Sequence, residues 1–299
     1  MKEAFYVLVC DVVTPFAFHS PSGITGKYVI TIPGSPMNTM DIQIRCHCTQ
    51  TSEKFSLPLT CQVSGKYQVN ITDEHNTFEP SGIAITRSSI IVANKSTNSI
   101  HVIGRGELKT LRTIGKYGNT VDSLNKPSGL ALYHDHVYVA DCNNHRIQIY
   151  TVHGVFVRGF GTLGNNHGQF RFPYGVCIYN ELVYVCDSGN NRIQIFNIGG
   201  KFVRTFGKRG RLDDEFHDPF DVAVANDRIF ITDSSNDRIQ VYTLSGEYIS
   251  TIGGRGIGKG QFSSPRGICS VANRLFIADC HNDRIQVLTL DGDFIAQYA

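Results

Sequence analysis

From residue 80 onward, apolar and polar positions alternate in short runs separated by turn residues. In one representative stretch, SGLALY (128–133) is apolar, HVYVAD (136–141) and RIQIY (146–150) alternate with period two, and GVFVRGF (154–160) alternates again before Gly161. Period-two runs bounded by polar clusters such as DCNNH and TVHG predict four short β-strands joined as a meander. No stretch carries a convincing helical period.

The unit recurs five times, starting at Pro80, Pro127, Pro173, Pro219 and Pro265, with steps of 47, 46, 46 and 46 residues. A fixed period of this size marks a repeat architecture, because one unit cannot bury its own apolar face. Four-stranded meanders repeated about an axis predict an all-β propeller, which leaves only short edges exposed. Residues that recur in every unit are then expected to serve the scaffold. Residues that break the pattern are the candidates for recognition.

Four acid–base pairs recur: Asp141/Arg146, Asp187/Arg192, Asp233/Arg238 and Asp279/Arg284. Each aspartate ends a second strand and each arginine starts a third, so the two meet across a tight turn and tie the strands together. The first unit has Asn94 and Ser99 at these places, which predicts a looser turn.

The segments PSGLAL, VYVADCNNHRIQIY and GVFVRGFG resemble the NHL repeat, the six-bladed propeller unit found at the C-terminus of TRIM-NHL proteins. The resemblance covers residues 80–299 and implies a sixth blade. LPLTCQVSGKYQVNI (57–71) fits third and fourth strands and MDIQIRCHC (40–48) a second strand, so a degenerate N-terminal blade is expected over 37–79. Regular blades are expected at 80–126, 127–172, 173–218, 219–264 and 265–299. Residues 1–36 are expected to form a strand-bearing extension, and ITGKYVITIPGSP (24–36) is similar to the end of filamin-type repeats.

Composition narrows the partners only slightly. The 299 residues are 41% hydrophobic and 18% charged, with net charge +2, a balance that does not demand nucleic acid. No apolar run approaches the roughly 18 residues of a membrane span. The apolar stretch Ala4–Cys10 ends at Asp11 and reads as a buried strand rather than a leader. Cysteines number nine. Cys177 and Cys269 share one repeat position and Cys186 replaces a recurring alanine, so these thiols read as packing groups in a reducing, cytoplasmic setting. The Asn-x-Ser/Thr patterns at Asn70 and Asn94 point weakly the other way.

Catalysis in a propeller needs several side chains aimed down the axis. The inner strands GIAI (82–85), GLAL (129–132), GVCI (175–178), DVAV (221–224) and GICS (267–270) hold no histidine and one carboxylate, Asp221. Lyases of hydroxyglycine amides and lactonases on related propellers need several His, Asp or Glu ligands. No metal, no cofactor and no enzyme activity are therefore expected. Cys46, His47, Cys48 and Cys61 could suggest zinc ligands, but Cys46 and Cys48 are alternate residues of one strand and read as packing on one face, and a ring-type cysteine–histidine series is absent from the sequence.

Departures from the repeat concentrate just after the prolines, where the residues are Ser81, Ser128, Tyr174, Phe220 and Arg266. Asp221 replaces a glycine present in the four sister units. The long loops 115–126, 161–172, 207–218 and 253–264 carry eight cations, Lys208, Arg209, Arg211 and Arg255 among them, against five anions. That is a net +3, or +4 with Arg266. The expected function is a monomeric, non-catalytic scaffold that binds a protein or peptide on this loop-rich face, using Tyr174, Phe220, Asp221, Arg266, Lys208, Arg209, Arg211 and Arg255. By resemblance to TRIM-NHL proteins, it would recognise substrates for a ubiquitin ligase. Single-stranded RNA on the same face is the alternative, since stacking plus phosphate contact needs aromatic and basic groups. A lyase or lactonase is the lesser one.

Overall fold

The computed structural model describes residues 79–106 and 109–298, with the backbone of three further strands, Lys27–Ile30, Asp41–Cys46 and Lys66–Ile71. Five antiparallel four-stranded sheets follow one another along the chain. Blade one holds Pro80–Ile85, Ser89–Asn94, Ser99–Gly104 and Thr110–Ile114. Blade two holds Pro127–Tyr133, His136–Asp141, Arg146–Thr151 and Phe156–Phe160. Blade three holds Pro173–Tyr179, Leu182–Asp187, Arg192–Asn197 and Phe202–Phe206. Blade four holds Pro219–Ala225, Arg228–Asp233, Arg238–Thr243 and Tyr248–Ile252, and blade five Pro265–Val271, Arg274–Asp279, Arg284–Thr289 and Phe294–Tyr298. Single 3-10 turns of three residues follow the second strands of blades two to five. The chain is an all-β propeller.

The first strand of each blade is innermost, and successive first strands lie against one another. Their glycines permit this approach. A Cβ on Gly82 would sit 2.3 Å from the Ser128 carbonyl, and one on Gly129 would sit 2.6 Å from the Tyr174 carbonyl. Only a residue without a side chain lets two backbones come this close. In every blade the pairing of first and second strands slips by one residue just after the proline, as between Pro127↔Asp141 and Leu130↔Val139. Such a bulge bends the inner strand and re-aims the residues within it.

The core lies between blades rather than within one. Ile91, Ile100 and Val102 of blade one pack with Leu130, Val137 and Tyr150 of blade two, and the same pattern joins blades two to three, three to four and four to five. Each long loop adds a fully buried plug at one repeat position: Leu124, Phe170, Phe216 and Phe262. Burying one such side chain contributes about 1.5–3 kcal/mol.

The expected degenerate blade over 37–79 lies mostly outside the described residues. Of its strands, Asp41–Cys46 and Lys66–Ile71 pair in parallel, and Lys27–Ile30 adds antiparallel to Asp41–Cys46. Consecutive strands of the five regular meanders are antiparallel. Cys46, His47, Cys48 and Cys61 also fall outside the residues whose side chains are described, as does the extension 1–36 apart from the backbone of Lys27–Ile30. Among the described residues no helix is long and apolar enough to cross a membrane.

Candidate binding site at the axial rim

The repeated acid–base pairs tie the loops of one face to the blade turns. In blade three, Asp187 is fully buried and its Oδ1 accepts the Arg171 N–H at 2.7 Å. Its Oδ2 accepts Arg192 Nε at 2.7 Å, Asn190 Nδ2 at 2.9 Å and Gln194 Nε2 at 3.0 Å. The remaining Arg192 nitrogens donate to the carbonyls of Asn165, Asn166 and Gln169 at 2.8, 2.8 and 2.9 Å. One ion pair thus ties the turn to loop 161–172. The pairs Asp141–Arg146, Asp233–Arg238 and Asp279–Arg284 close at 2.8, 2.8 and 2.7 Å, and their arginines likewise bond loop carbonyls. Burial raises the Asp141, Asp187 and Asp233 carboxyls, while the backbone N–H, the amide and the arginine lower them. In blade one, Asn94 Oδ1 accepts the Glu79 N–H at 3.1 Å, from the segment before the blade proline as the Arg171 N–H is in blade three, and otherwise turn donors, among them the Ser96 N–H at 3.1 Å and the Ser96 hydroxyl at 2.8 Å.

A second repeated device links each blade to the next. The residues just before the prolines, Lys126, Phe172, Asp218 and Ser264, have φ of 55, 50, 56 and 51°, in the left-handed region. Their N–H groups donate to side chains of the preceding blade: Asn98 Oδ1 at 2.8 Å, His145 Nδ1 at 3.1 Å, Asn191 Oδ1 at 3.0 Å and Asp237 Oδ1 at 2.7 Å.

On this frame the rim residues meet. The rings of Tyr174 and Phe220 stack with centroids 4.8 Å apart and planes 21° apart. The Arg266 guanidinium lies 5.5 Å from the Phe220 centroid, and the Lys95 ammonium lies 5.5 Å from the Tyr174 centroid. Four side chains from blades one, three, four and five form a cation–ring–ring–cation column. An aromatic pair contributes roughly 0.5–1.5 kcal/mol beyond its burial and a cation over a ring about 0.5–2 kcal/mol. Beside the column, between blades three, four and five, is a cavity of about 320 Å³ whose walls include Phe172, Tyr174, Phe220 and Arg266. Ser188, Ser234, Ser235, Ser264, Gly189 and Asp218 complete it. Ser235 Oγ donates to Asp218 Oδ2 at 2.9 Å, and the Ser234 and Ser264 hydroxyls are 3.2 Å apart. This volume is at the low end for ligand pockets and suits one or two side chains.

The structure does not bring the remaining candidates to the cavity. Asp221 is 1% exposed and sits in the seam between blades four and five. Its Oδ1 accepts the Val222 N–H at 2.9 Å and its Oδ2 the Ile268 N–H at 3.0 Å. Two backbone donors hold the carboxylate in the seam, and burial pushes it up to about 8. Thr232, where the other blades have Ala93, Ala140, Cys186 and Ala278, accepts the Asp221 N–H at 2.9 Å and donates to the Arg266 carbonyl at 2.6 Å. Lys208, Arg209, Arg211 and Arg255 are exposed on the long loops, away from the cavity walls. Loop 207–218 folds on itself there: Lys208 Nζ is 3.6 Å from Glu215 Oε1, and Glu215 Oε2 accepts the Arg211 and Leu212 N–H groups at 2.9 and 3.0 Å.

Four contributors, Phe172, Lys95, Ser188 and Ser234, escape the reading of single repeat positions. Phe172 precedes a blade proline where the sister units have lysine, aspartate and serine, and that contrast was visible in the sequence. Lys95 and the serines at 188 and 234 occupy a turn position that holds cysteine in blades two and five. Burial pushes the thiols of Cys142, Cys177 and Cys280 up to about 12, so they act as packing groups.

Comparison with known proteins agrees with this architecture. The NHL repeat model matches residues 124–150 and 170–196, and a model described as a 6-bladed β-propeller matches residues 211–298. The chain therefore carries NHL repeats in a propeller. No curated protein matches it in sequence. Among solved structures, the nidogen/laminin complex contains a similar chain at TM-score 0.59 and 15% identity, covering 75% of this chain and 81% of that one. Virginiamycin B lyase from Staphylococcus aureus aligns at TM-score 0.54 and 20% identity, covering 74% of this chain and 70% of the lyase. A streptogramin B lyase aligns at 0.54 and 15%, covering 73% and 68%. At these identities the likeness is one of fold.

Proposed function

We propose that this propeller is a non-catalytic interaction module that binds a protein or peptide segment in the cavity at its axial rim. The observation that carries the reading is the cavity itself. Its walls include positions at which the repeat is broken, Phe172, Tyr174, Phe220 and Arg266, on a frame tied together by the positions at which it is kept. Pre-organised loops lower the ordering entropy of binding. The similar chain in the nidogen/laminin complex supports a partner-binding use of the fold, and the resemblance to TRIM-NHL proteins extends it to substrate recognition for a ubiquitin ligase. The unbridged thiols among the described cysteines support a reducing, cytoplasmic setting.

The test is a peptide-display selection against the intact chain, followed by binding measurements on a Tyr174→Ala/Phe220→Leu/Arg266→Ala variant. A selected peptide should lose at least about tenfold in affinity, and its binding should change little between low and moderate salt. Full affinity in the triple variant would remove the rim from the site. A steep salt slope with oligonucleotides would assign the face to RNA instead.

A further inference from the structure

Phe172 satisfies a backbone requirement that does not call for a ring. The left-handed φ of about 50° and the N–H donated to the preceding blade recur at Lys126, Asp218 and Ser264, all polar. A bulky residue is disfavoured in that region of φ. Burial does not compensate for it. The Phe172 side chain is 41% exposed and meets His145 edge-on, with centroids 4.7 Å apart and planes at 70°. A ring carried exposed on a left-handed backbone, at a position where three sister units use polar residues, is a choice the scaffold does not require.

The ring forms one wall of the cavity whose other walls include the Tyr174–Phe220 stack and Arg266. The faces of Tyr174 and Phe220 are taken up within the column, so a flat group entering the cavity meets the exposed Phe172 ring and the edges of that stack, and edge-to-face contact favours an aromatic over an aliphatic group. The polar part of the lining offers both kinds of group: the exposed Asp218 carboxylate accepts, the Arg266 guanidinium donates, and the Ser188, Ser234, Ser235 and Ser264 hydroxyls can do either. A ligand with a hydrogen-bond donor at the end of a planar ring complements the Asp218 carboxylate, the one acceptor-only side chain of that lining. The Asp218 carboxylate offsets the Arg266 charge in the same wall, so the lining carries no net positive charge to draw a phosphodiester chain, which favours a peptide over a nucleotide.

We infer that Phe172 is the selective wall of this cavity, and that the group it grips is the aromatic side chain of a peptide, tyrosine or tryptophan in particular. The inference rests on the reading of the cavity as the binding site and names its ligand class.

The experiment uses the whole chain, isotope-labelled, with capped tripeptides Ac-Gly-Xaa-Gly-NH2 in which Xaa is Trp, Tyr, Leu, Glu or Lys, and with hexauridylate. The Trp and Tyr peptides should shift the amide signals of Ser188, Gly189 and Ser235 and bind at least about fivefold more tightly than the Leu peptide. Phe172→Asn should weaken that binding about tenfold while raising Tm by roughly 2–4 °C, because asparagine tolerates the left-handed backbone. A lowered Tm would make Phe172 a scaffold residue and overturn its assigned role. Equal binding of Leu or Glu peptides at these amides, or unchanged affinity in Phe172→Asn, would overturn the selectivity and leave the cavity as a binding site. Shifts from hexauridylate alone, or from no probe, would overturn the peptide reading of the cavity together with the inference.

Discussion

The carboxylate of Asp221 accepts the backbone N–H of Ile268 at 3.0 Å, so a side chain of blade four holds the inner strand of blade five. In the sister units this place is Gly82, Gly129, Gly175 and Gly267. Blade three is adjusted to it: a Cβ on Gly175 would lie 2.4 Å from Asp221 Oδ1. The carboxyl titrates far from its ordinary range because burial pushes it up to about 8, against the two backbone donors that lower it. The unfolded chain releases this proton near pH 4 and the folded one near 8, so the folded state binds more protons across that window. Stability from this group is present below pH 4 and is lost as pH rises through 8, at up to about 1.4 kcal/mol per pH unit. Asp221→Asn should flatten the profile, so the difference in unfolding free energy between variant and parent should grow in the variant's favour from pH 5 to pH 8.5. Denaturant melts showing a constant difference would sink this account.

Asp187→Ala should cost more than about 2 kcal/mol. The substitution strips four donors of one buried acceptor group: the Arg171 N–H, Asn190, Arg192 and Gln194. The Arg192 side chain is 12% exposed and would keep its charge with no anion beside it. Breaking a buried pair from one side is far more damaging than replacing both partners. Loop 161–172 should also loosen, because Arg192 carries three of its carbonyls. A thermal melt unchanged within error would refute the prediction.

The repeat made the fold legible, because a period near 46 residues with four alternating runs per unit admits few other closed arrangements. The rim was legible at Tyr174, Phe220 and Arg266, since the residue after each proline reaches the mouth of the axis. Asp221, one residue further on, was misplaced by the same logic. The bulge behind each proline turns it into the seam, and the backbone donors that capture it are invisible in a pattern of side chains. Charge summed along the loops groups Lys208, Arg209, Arg211 and Arg255, whereas in the structure Glu215 folds loop 207–218 back on itself. Phe172 departs in sequence from Lys126, Asp218 and Ser264, but the left-handed backbone that makes a ring unfavourable there is not displayed by residue identity.

His145 should make the link between blades two and three sensitive to acid. Its Nδ1 accepts the Phe172 N–H at 3.1 Å, which requires a neutral ring with the proton on Nε2. Burial, and then the Arg171 charge, lower its pKa below the ordinary histidine value, while Asp141 and Asp187 raise it. The folded state therefore binds fewer protons than the unfolded one near that value. The stabilisation is present above the ordinary histidine range and is lost as pH falls through the lowered pKa. Amide exchange at Phe172, corrected for intrinsic rates, should speed up between pH 7 and pH 5. His145→Asn, which installs the residue present at Asn98 and Asn191, should abolish that dependence. Exchange at Phe172 that ignores pH in the parent chain would show that the bond is not made through a neutral imidazole.

Gly129→Ala should damage both the fold and the rim. The added Cβ would meet the Tyr174 carbonyl at 2.6 Å and the Val176 N–H nitrogen at 2.9 Å, both backbone atoms of the neighbouring inner strand. Neither can rotate away as a side chain could, so the inner strands of blades two and three must part. Overpacking of this kind costs about 1–3 kcal/mol. Gly254→Ala is the control, because its Cβ would meet nothing within 4 Å and should stay within about 0.5 kcal/mol of the parent. The strand displaced by Gly129→Ala carries Tyr174, so the 4.8 Å stack on Phe220 should be disturbed as well. Loss of the selected peptide's affinity in Gly129→Ala, at a temperature where the variant remains folded, is the expected result. A variant that is destabilised yet binds at full strength would show that the Tyr174–Phe220 column tolerates movement of its strand.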